Sequence, residues 1–192
     1  MRILMLGNSY TFTNDLPAVL ASLTGAEVTA HTRGGAFLAE QLNPETAMGQ
    51  RTLAALQDES WDFVVLQEQS KAPAVSREAF LRSADALCRL IRENGATPVF
   101  YATWAYRDGS RPLTQSGMTY EEMYDALHGA YLEAAARGHA LLADVGTGFR
   151  ARRDSEELYA ADGSHPNESG TRLAAQIIAE AIGKAAPQTD AG

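Results

Sequence analysis

The stretch Phe63-Val64-Val65-Leu66 is an unbroken run of large apolar side chains. A strand with one face in solvent alternates polar and apolar residues, whereas a strand covered on both faces reads as a continuous apolar run. The stretch is therefore typical of a strand inside a parallel sheet that has helices on both sides. It predicts an α/β fold.

Four more short apolar segments occur along the chain, and stretches with helical spacing separate them. The predicted strands are Arg2–Leu6, Glu27–His31, Asp62–Leu66, Thr97–Thr103 and Ala140–Asp144. Helices are predicted over Leu16–Leu23, Glu45–Leu56 and Glu168–Gly183, after a capping Ser76, and after a capping box formed by Thr119 and Glu122. Regular alternation implies right-handed crossovers and a three-layer α/β/α domain. Five parallel strands fit a flavodoxin-like strand order.

Length and composition limit the classes of function. The 192 residues, 45% of them hydrophobic, fit one domain over residues 1–185, followed by a tail, 186–192, that is expected to be disordered. The only cysteine, Cys88, cannot form an intrachain disulfide. A net charge of −8 argues against a nucleic-acid partner. Without a recognisable signal-peptide core or membrane span, we expect a cytoplasmic protein.

The loop after the first strand contains a candidate nucleophile. It begins Gly7-Asn8-Ser9, and Gly7 lets the chain turn so that the Ser9 hydroxyl can lie at the carboxyl edge of the sheet. Serine in such a loop also commonly satisfies local backbone donors. A further alternative is that the hydroxyls from Ser9 to Thr13 bind a phosphate at the start of a helix, as in a non-catalytic, flavin-binding module of the flavodoxin type.

A second candidate element, Asp162-Gly163-Ser164-His165-Pro166, precedes the last predicted helix. An aspartate three residues before a histidine in a turn can accept a hydrogen bond from Nδ1, which leaves Nε2 free to take a proton. The alternative is a loop aspartate that caps a turn beside a solvated histidine. In a parallel sheet this loop opens at the same edge as the loop of Ser9, so the two elements support each other.

Candidate oxyanion donors follow the second and third predicted strands. Arg33-Gly34-Gly35 exposes backbone N–H groups that no side chain obstructs, although the pair taken alone is more typical of an ordinary turn. Gln67-Glu68-Gln69-Ser70 offers side-chain amides directly after the buried run. Stabilisation of an oxyanion requires donors that are in place before the charge forms.

Together, Gly7-Asn8-Ser9, Gly34-Gly35 and Asp162-x-x-His165 resemble the ordered sequence blocks of the SGNH (GDSL-like) hydrolase superfamily. The similarity runs from Leu4 to about Leu173. It implies that Ser9 is the nucleophile, His165 the general base and Asp162 the residue that orients it. The backbone N–H groups of Ser9 and Gly35 would then form part of the oxyanion hole.

Two positions depart from the family pattern. The third oxyanion donor of the family is an asparagine in a Gly-x-Asn-Asp block, which this sequence lacks. Gln67-Glu68-Gln69 stands there instead and is similar to the Gln-containing version of carbohydrate-acetylesterase branches. Gln67 is the predicted donor and Gln69 the alternative. Asn8 also occupies a position where an aspartate is usual.

The implied reaction is hydrolysis of a carboxylic ester through an acyl-enzyme, with a small-molecule substrate that carries a short acyl group, such as acetyl on a carbohydrate. Trp104, Tyr10 and Tyr106 are predicted to contact the substrate, although Trp104 would equally well seal the core. No cofactor is expected, and no metal, because the four histidines lack zinc-ligand spacing. The missing asparagine block leaves a non-catalytic, carbohydrate-binding relative as an alternative.

Overall fold

Five parallel strands form the centre of the protein. The computed structural model describes residues 1–185, and the strand order is β2-β1-β3-β4-β5, the flavodoxin-like order that the sequence predicts. Each strand begins and ends within one residue of its predicted bounds. The strands are β1 (Arg2–Gly7), β2 (Glu27–Thr32), β3 (Phe63–Leu66), β4 (Thr97–Ala102) and β5 (Leu141–Asp144). The predicted tail, 186–192, lies outside the described residues.

Helices connect the strands on both faces of the sheet. A 3₁₀ turn at Thr13–Asp15 joins the first two helices. The helices among the described residues are α1 (Ser9–Phe12), α2 (Leu16–Thr24), α3 (Leu38–Gln41), α4 (Ala47–Asp58), α5 (Ala72–Val75), α6 (Arg77–Glu93), α7 (Arg111–Ser116), α8 (Tyr120–Gly138), α9 (Val145–Arg152) and α10 (Glu168–Gly183). None of these helices is long and apolar enough to cross a bilayer.

Alternate residues of each central strand fill two separate cores. Leu4 and Leu6 of β1 belong to a core that also contains apolar side chains of α4, α6 and α8. Ile3 and Met5 belong to the core on the opposite face, with α2, α9 and α10. All four side chains are fully buried, so β1 is covered on both sides. This arrangement explains the continuously apolar sequence of the strand.

The capping signals differ in how well they predicted the helices. Thr119 and Glu122 form the predicted capping box at the start of α8. Ser76 directly precedes α6 as predicted, but its side chain makes no capping hydrogen bond. Several helices of the strand-end loops were not predicted, because one or two turns are too short to show helical periodicity.

Candidate active site

The loop after β1 is organised by Asn8. Its Oδ1 accepts the backbone N–H of Tyr10 at 3.1 Å and caps α1, while its Nδ2 donates to the carbonyl of Ala36 at 3.0 Å. Its backbone N–H donates to Oε1 of Gln67 at 3.0 Å. An aspartate at this position can accept but not donate. Asparagine in place of the usual aspartate therefore allows the Nδ2 bond to Ala36, which connects the loop after β1 to the loop after β2.

Gly7 is required here for close packing. A Cβ on Gly7 would collide with Oγ1 of Thr11 and would lie 2.6 Å from Oε1 of Gln67. These two atoms are hydrogen-bonded to each other at 2.9 Å, beneath the turn that carries Ser9. Gly7 has no positive φ, so close packing rather than a left-handed backbone is what requires a glycine at this position.

Ser9, His165 and Asp162 meet at the carboxyl edge of the sheet. Nε2 of His165 lies 2.9 Å from Oγ of Ser9, although 156 positions separate the two residues. Nδ1 of His165 lies 2.6 Å from Oδ2 of Asp162. The other carboxylate oxygen of Asp162 accepts the backbone N–H groups of Ser164 and His165, both at 2.9 Å. The three side chains therefore form one continuous series of hydrogen bonds.

The environment of Asp162 defines the tautomer of His165. Partial burial raises the pKa of Asp162, but hydrogen bonds from the Ser164 N–H and from His165 outweigh it and hold that pKa below its ordinary value. An ionised carboxylate only accepts hydrogen bonds, so Nδ1 of His165 is the donor. In the neutral imidazole, Nε2 then carries no proton and can accept the proton of the Ser9 hydroxyl.

Two predicted oxyanion donors are backbone N–H groups. Ser9 is the first residue of α1, where an N–H has no carbonyl of its own helix to bond. Gly35 lies in a turn closed by a 3.0 Å bond from the Ala36 N–H to the Arg33 carbonyl, with φ of 67°. Within residues 1–185, neither N–H has a hydrogen-bond acceptor. Both are therefore free to bind an incoming oxygen.

The structure argues against the predicted oxyanion role of Gln67. This side chain is buried, its Oε1 accepts from Asn8 and Thr11, and its Nε2 donates to the carbonyl of Glu68. Its amide is thus used to hold the loop of Ser9 from below. Gln69 is only partly buried, and its Nε2 makes one long contact of 3.3 Å, to Oγ of Ser70. The alternative, Gln69, is the better candidate for the third donor.

The predicted substrate-contacting aromatic residues are core residues. Trp104 is fully buried, stacked between Tyr10 at 4.7 Å and Phe149 at 4.0 Å, and its Nε1 donates to the Ser164 carbonyl at 3.0 Å. The Tyr10 ring packs edge-on against His165 at 5.4 Å, and its hydroxyl is 2.6 Å from Oγ of Ser164. Trp104 and Tyr10 therefore support the loop of His165 from within.

Tyr106 is also buried, and its hydroxyl lies 2.8 Å from Oγ of Ser70. Burial argues against the predicted substrate contact for all three rings, because neighbouring side chains already cover them. Two aromatic residues that were not predicted to lie at the site, Phe12 and Phe37, are nearly half exposed. Phe12 lies three residues after Ser9, one turn further along α1, and Phe37 lies two residues after Gly35.

Comparisons with known proteins identify the family of this chain. A protein from Slackia heliotrinireducens that is assigned provisionally to the SGNH hydrolases is 52% identical to this chain, with a TM-score of 0.92, and the match covers 95% of this chain and 98% of that one. No protein-family model matches the chain, and no curated protein matches it.

More distant solved structures share the fold. A DUF4886 family protein from Bacteroides uniformis is 19% identical, with a TM-score of 0.74 over 95% of this chain and 82% of that one. A protein from Parabacteroides merdae, described provisionally as a GDSL-like lipase, is 16% identical, with a TM-score of 0.72 over 95% of each chain.

A flavodoxin-like sheet that carries a hydrogen-bonded serine, histidine and aspartate at its carboxyl edge defines a hydrolase of the esterase type. The 52% identity to the protein from Slackia heliotrinireducens, over 95% of this chain, specifies the family. The chain belongs to the SGNH (GDSL-like) hydrolases.

Proposed function

We propose that this protein is a serine esterase that hydrolyses a carboxylic ester through an acyl-enzyme, with Ser9, His165 and Asp162 as its catalytic triad. The observation that carries this proposal is the uninterrupted series of hydrogen bonds from Oδ2 of Asp162 through both ring nitrogens of His165 to Oγ of Ser9. A binding module has no use for a histidine held in one tautomer against a serine hydroxyl.

In the first step, Nε2 of His165 takes the proton of Ser9 as Oγ attacks the ester carbonyl. Collapse of the tetrahedral intermediate releases the alcohol, which leaves with the proton from His165, and the acyl group stays on Ser9. Water then repeats the sequence and releases the acid. Asp162 stays ionised throughout and stabilises the imidazolium that forms in each step.

The negative charge of the tetrahedral intermediate needs donors that are already in position. The backbone N–H groups of Ser9 and Gly35 are assigned this role because both are unpaired within the described residues. The side-chain amide of Gln69 is assigned as the third donor. The bond from Asn8 to Ala36 supports this assignment, since it connects the loops of the first two donors.

The exposure of the site bears on the substrate. The side chain of His165 is 35% exposed and that of Asp162 is 51% exposed, so the triad lies in an open surface position. Such a site admits a bulky alcohol, and we propose a short acyl group, acetyl in particular, on a carbohydrate. With the three predicted rings buried, Phe12 and Phe37 are the aromatic side chains available for contact with such a substrate.

The flavin-binding alternative has less support. It requires free hydroxyls in the loop after β1, but Ser9 is bonded to His165, and Thr11 is fully buried and donates to Gln67. It also gives no role to Asp162. The purely carbohydrate-binding alternative likewise leaves the ordered imidazole unexplained.

Hydrolysis of p-nitrophenyl acetate by purified variants tests the proposal. Ser9→Ala and His165→Ala should each lower kcat by roughly 10⁵- to 10⁶-fold, on the precedent of serine proteases. Ser22→Ala, an exposed serine on α2, and His139→Asn, beyond the end of α8, are matched controls and should keep full activity. A wild-type protein without esterase activity, or a Ser9→Ala variant that keeps it, would refute the proposal.

A panel of acyl-chain lengths and acetylated sugars then tests the substrate. We expect kcat/KM to be highest for acetyl esters and to fall with chain length. A maximum at long acyl chains would contradict the proposed acyl group without affecting the triad. The cytoplasmic location and the absence of a nucleic-acid partner stay predictions.

A further inference from the structure

Glu68 is a buried carboxyl group between Gln67 and Gln69. It is 2% exposed, and no salt bridge to it occurs within the described residues. Its Oε1 accepts the backbone N–H of Leu38 at 3.1 Å and that of Gln69 at 2.6 Å. One oxygen therefore joins the segment after β2 to the segment after β3.

The main chain of Glu68 extends these connections. Its carbonyl accepts a bond from Nε2 of Gln67 and a longer one, 3.4 Å, from Nδ2 of Asn8. Its N–H donates to the hydroxyl of Tyr131 on α8 at 3.3 Å. Glu68 is thus bonded to the loop after β1 as well, and its whole backbone is held in place.

The three loops that meet at Glu68 carry the three assigned oxyanion donors. Asn8 precedes Ser9, Leu38 follows Gly35 by three residues, and Gln69 is the neighbour of Glu68 itself. Donors to a developing oxyanion stabilise it only if their mutual positions are fixed beforehand. An ionised acceptor holds backbone N–H groups more strongly than a neutral one does.

We propose that Glu68 is a positioning residue for the ester hydrolysis, whose carboxylate fixes the loops of the oxyanion donors with respect to one another. This inference rests on the proposed function. Glu68 does not touch the reacting atoms. It acts through the N–H groups of Leu38 and Gln69.

The surroundings of Glu68 make the strength of its bonds to the Leu38 and Gln69 N–H groups dependent on pH. Burial raises the pKa of Glu68 to about 7, against the opposing effect of the bonds from the Gln69 and Leu38 N–H groups. Two other ionisable groups face it. Glu40 on α3 raises the pKa further, and the hydroxyl of Tyr131 on α8 has its own pKa raised mainly by burial and also by Glu68. Glu68 is consequently neutral below about pH 7 and ionised above it.

The test compares wild type with Glu68→Gln over a pH range. The glutamine keeps the shape and one acceptor oxygen, so it imitates the protonated glutamic acid at every pH. The ratio of wild-type kcat to variant kcat should be close to 1 at pH 5, where Glu68 is protonated. It should rise through pH 7 to about 10-fold or more at pH 9, where only the wild type has the carboxylate, because misplaced catalytic groups lower the rate by up to about 100-fold. The ratio removes every effect of pH that the two proteins share.

Glu27→Gln removes an exposed carboxylate at the opposite edge of the sheet and is the control, with a ratio that stays near 1. Glu68→Asp keeps the charge but has a shorter side chain. Its kcat should be low, with the pH dependence retained. A ratio for Glu68→Gln that is independent of pH would show a merely structural role and would overturn the inference.

A measurement without substrate separates this inference from the proposed function. In ¹⁵N NMR spectra of the wild type, the amide signals of Leu38 and Gln69 should shift together with a midpoint near pH 7, and the shift should be absent in Glu68→Gln. Signals that do not move between pH 5 and 9 would overturn the inference, even if the protein is an esterase. Absence of esterase activity would refute the proposed function, while the titration would still decide whether Glu68 holds the loops.

Discussion

Replacement of Asp162 by asparagine tests how the structure sets the proton on His165. The substitution leaves the turn intact, because the amide oxygen can still accept the N–H groups of Ser164 and His165 that Oδ1 accepts at 2.9 Å. The substitution changes the other carboxylate oxygen, Oδ2. An NH₂ group takes the place of Oδ2, which lies 2.6 Å from Nδ1 of His165.

Two N–H groups cannot face each other at that distance, so Nδ1 loses its proton and accepts from the asparagine. The ring proton then resides on Nε2, which lies 2.9 Å from Oγ of Ser9 and must donate to it. A donor at this position cannot remove the serine proton. The same inversion in a serine protease lowers kcat by about 10⁴-fold, equal to roughly 5.5 kcal/mol of transition-state stabilisation, and we expect a loss of that size here.

The assay is kcat for p-nitrophenyl acetate at pH 8, with urea unfolding as a check on stability. Asp162→Asn should keep its midpoint of unfolding, whereas Asp162→Ala also loses both backbone bonds and should lower it. Asp125→Asn, an exposed position on α8, is the matched control. A loss of less than tenfold in Asp162→Asn would refute the assignment of Asp162 as the residue that fixes the tautomer.

Three further predictions concern the loops around the triad. Between pH 4.5, the ordinary pKa of the carboxyl group, and about pH 7, Glu68 holds a proton in the folded protein but not in the unfolded chain. As the pH rises through this range, the free energy of unfolding of the wild type should therefore fall by about 3 kcal/mol relative to that of Glu68→Gln, at about 1.4 kcal/mol for each pH unit. The same pH dependence of urea unfolding in both proteins would contradict the burial argument. Gly7→Ala should lower the free energy of unfolding by about 1–3 kcal/mol through overpacking against Thr11 and Gln67, while Gly183→Ala, where a Cβ meets nothing within 4 Å, should leave it nearly unchanged. Gln69→Ala should lower kcat by about 10²- to 10³-fold and lower Tm only slightly, because the Lys71 and Ala72 N–H groups that its Oε1 accepts are exposed or partly buried and can bond to water instead. Gln67→Ala should lower Tm more, because it leaves the buried donors of Asn8 and Thr11 without an acceptor; the reverse pattern would restore Gln67 as the oxyanion donor.

The sequence predicted those parts of the structure that depend on chain order and periodicity. Each strand has an apolar run long enough to be recognised, and parallel strands place the loop of Ser9 and the loop of His165 at the same edge of the sheet. The meeting of these two residues could therefore be expected, although they are 156 positions apart.

What the sequence could not predict was the direction of individual side chains. Gln67 and Gln69 are two residues apart, and nothing in their spacing shows that Gln67 points beneath the turn of Ser9. Trp104 was equally suited to the core or to a substrate contact. It packs in the core because Tyr10 and Phe149 stack on its two faces. Such outcomes depend on packing between distant segments, which periodicity does not describe.

The nucleophilicity of Ser9 is the central claim, and covalent labelling tests it most directly. Treatment of the wild type with a fluorophosphonate should add one phosphonyl group per chain, and peptide mass spectrometry should locate it on Ser9. The adduct should be absent in Ser9→Ala, form slowly in His165→Ala and form at the wild-type rate in Ser22→Ala. An unlabelled wild type, or an adduct on any other residue, would contradict the account.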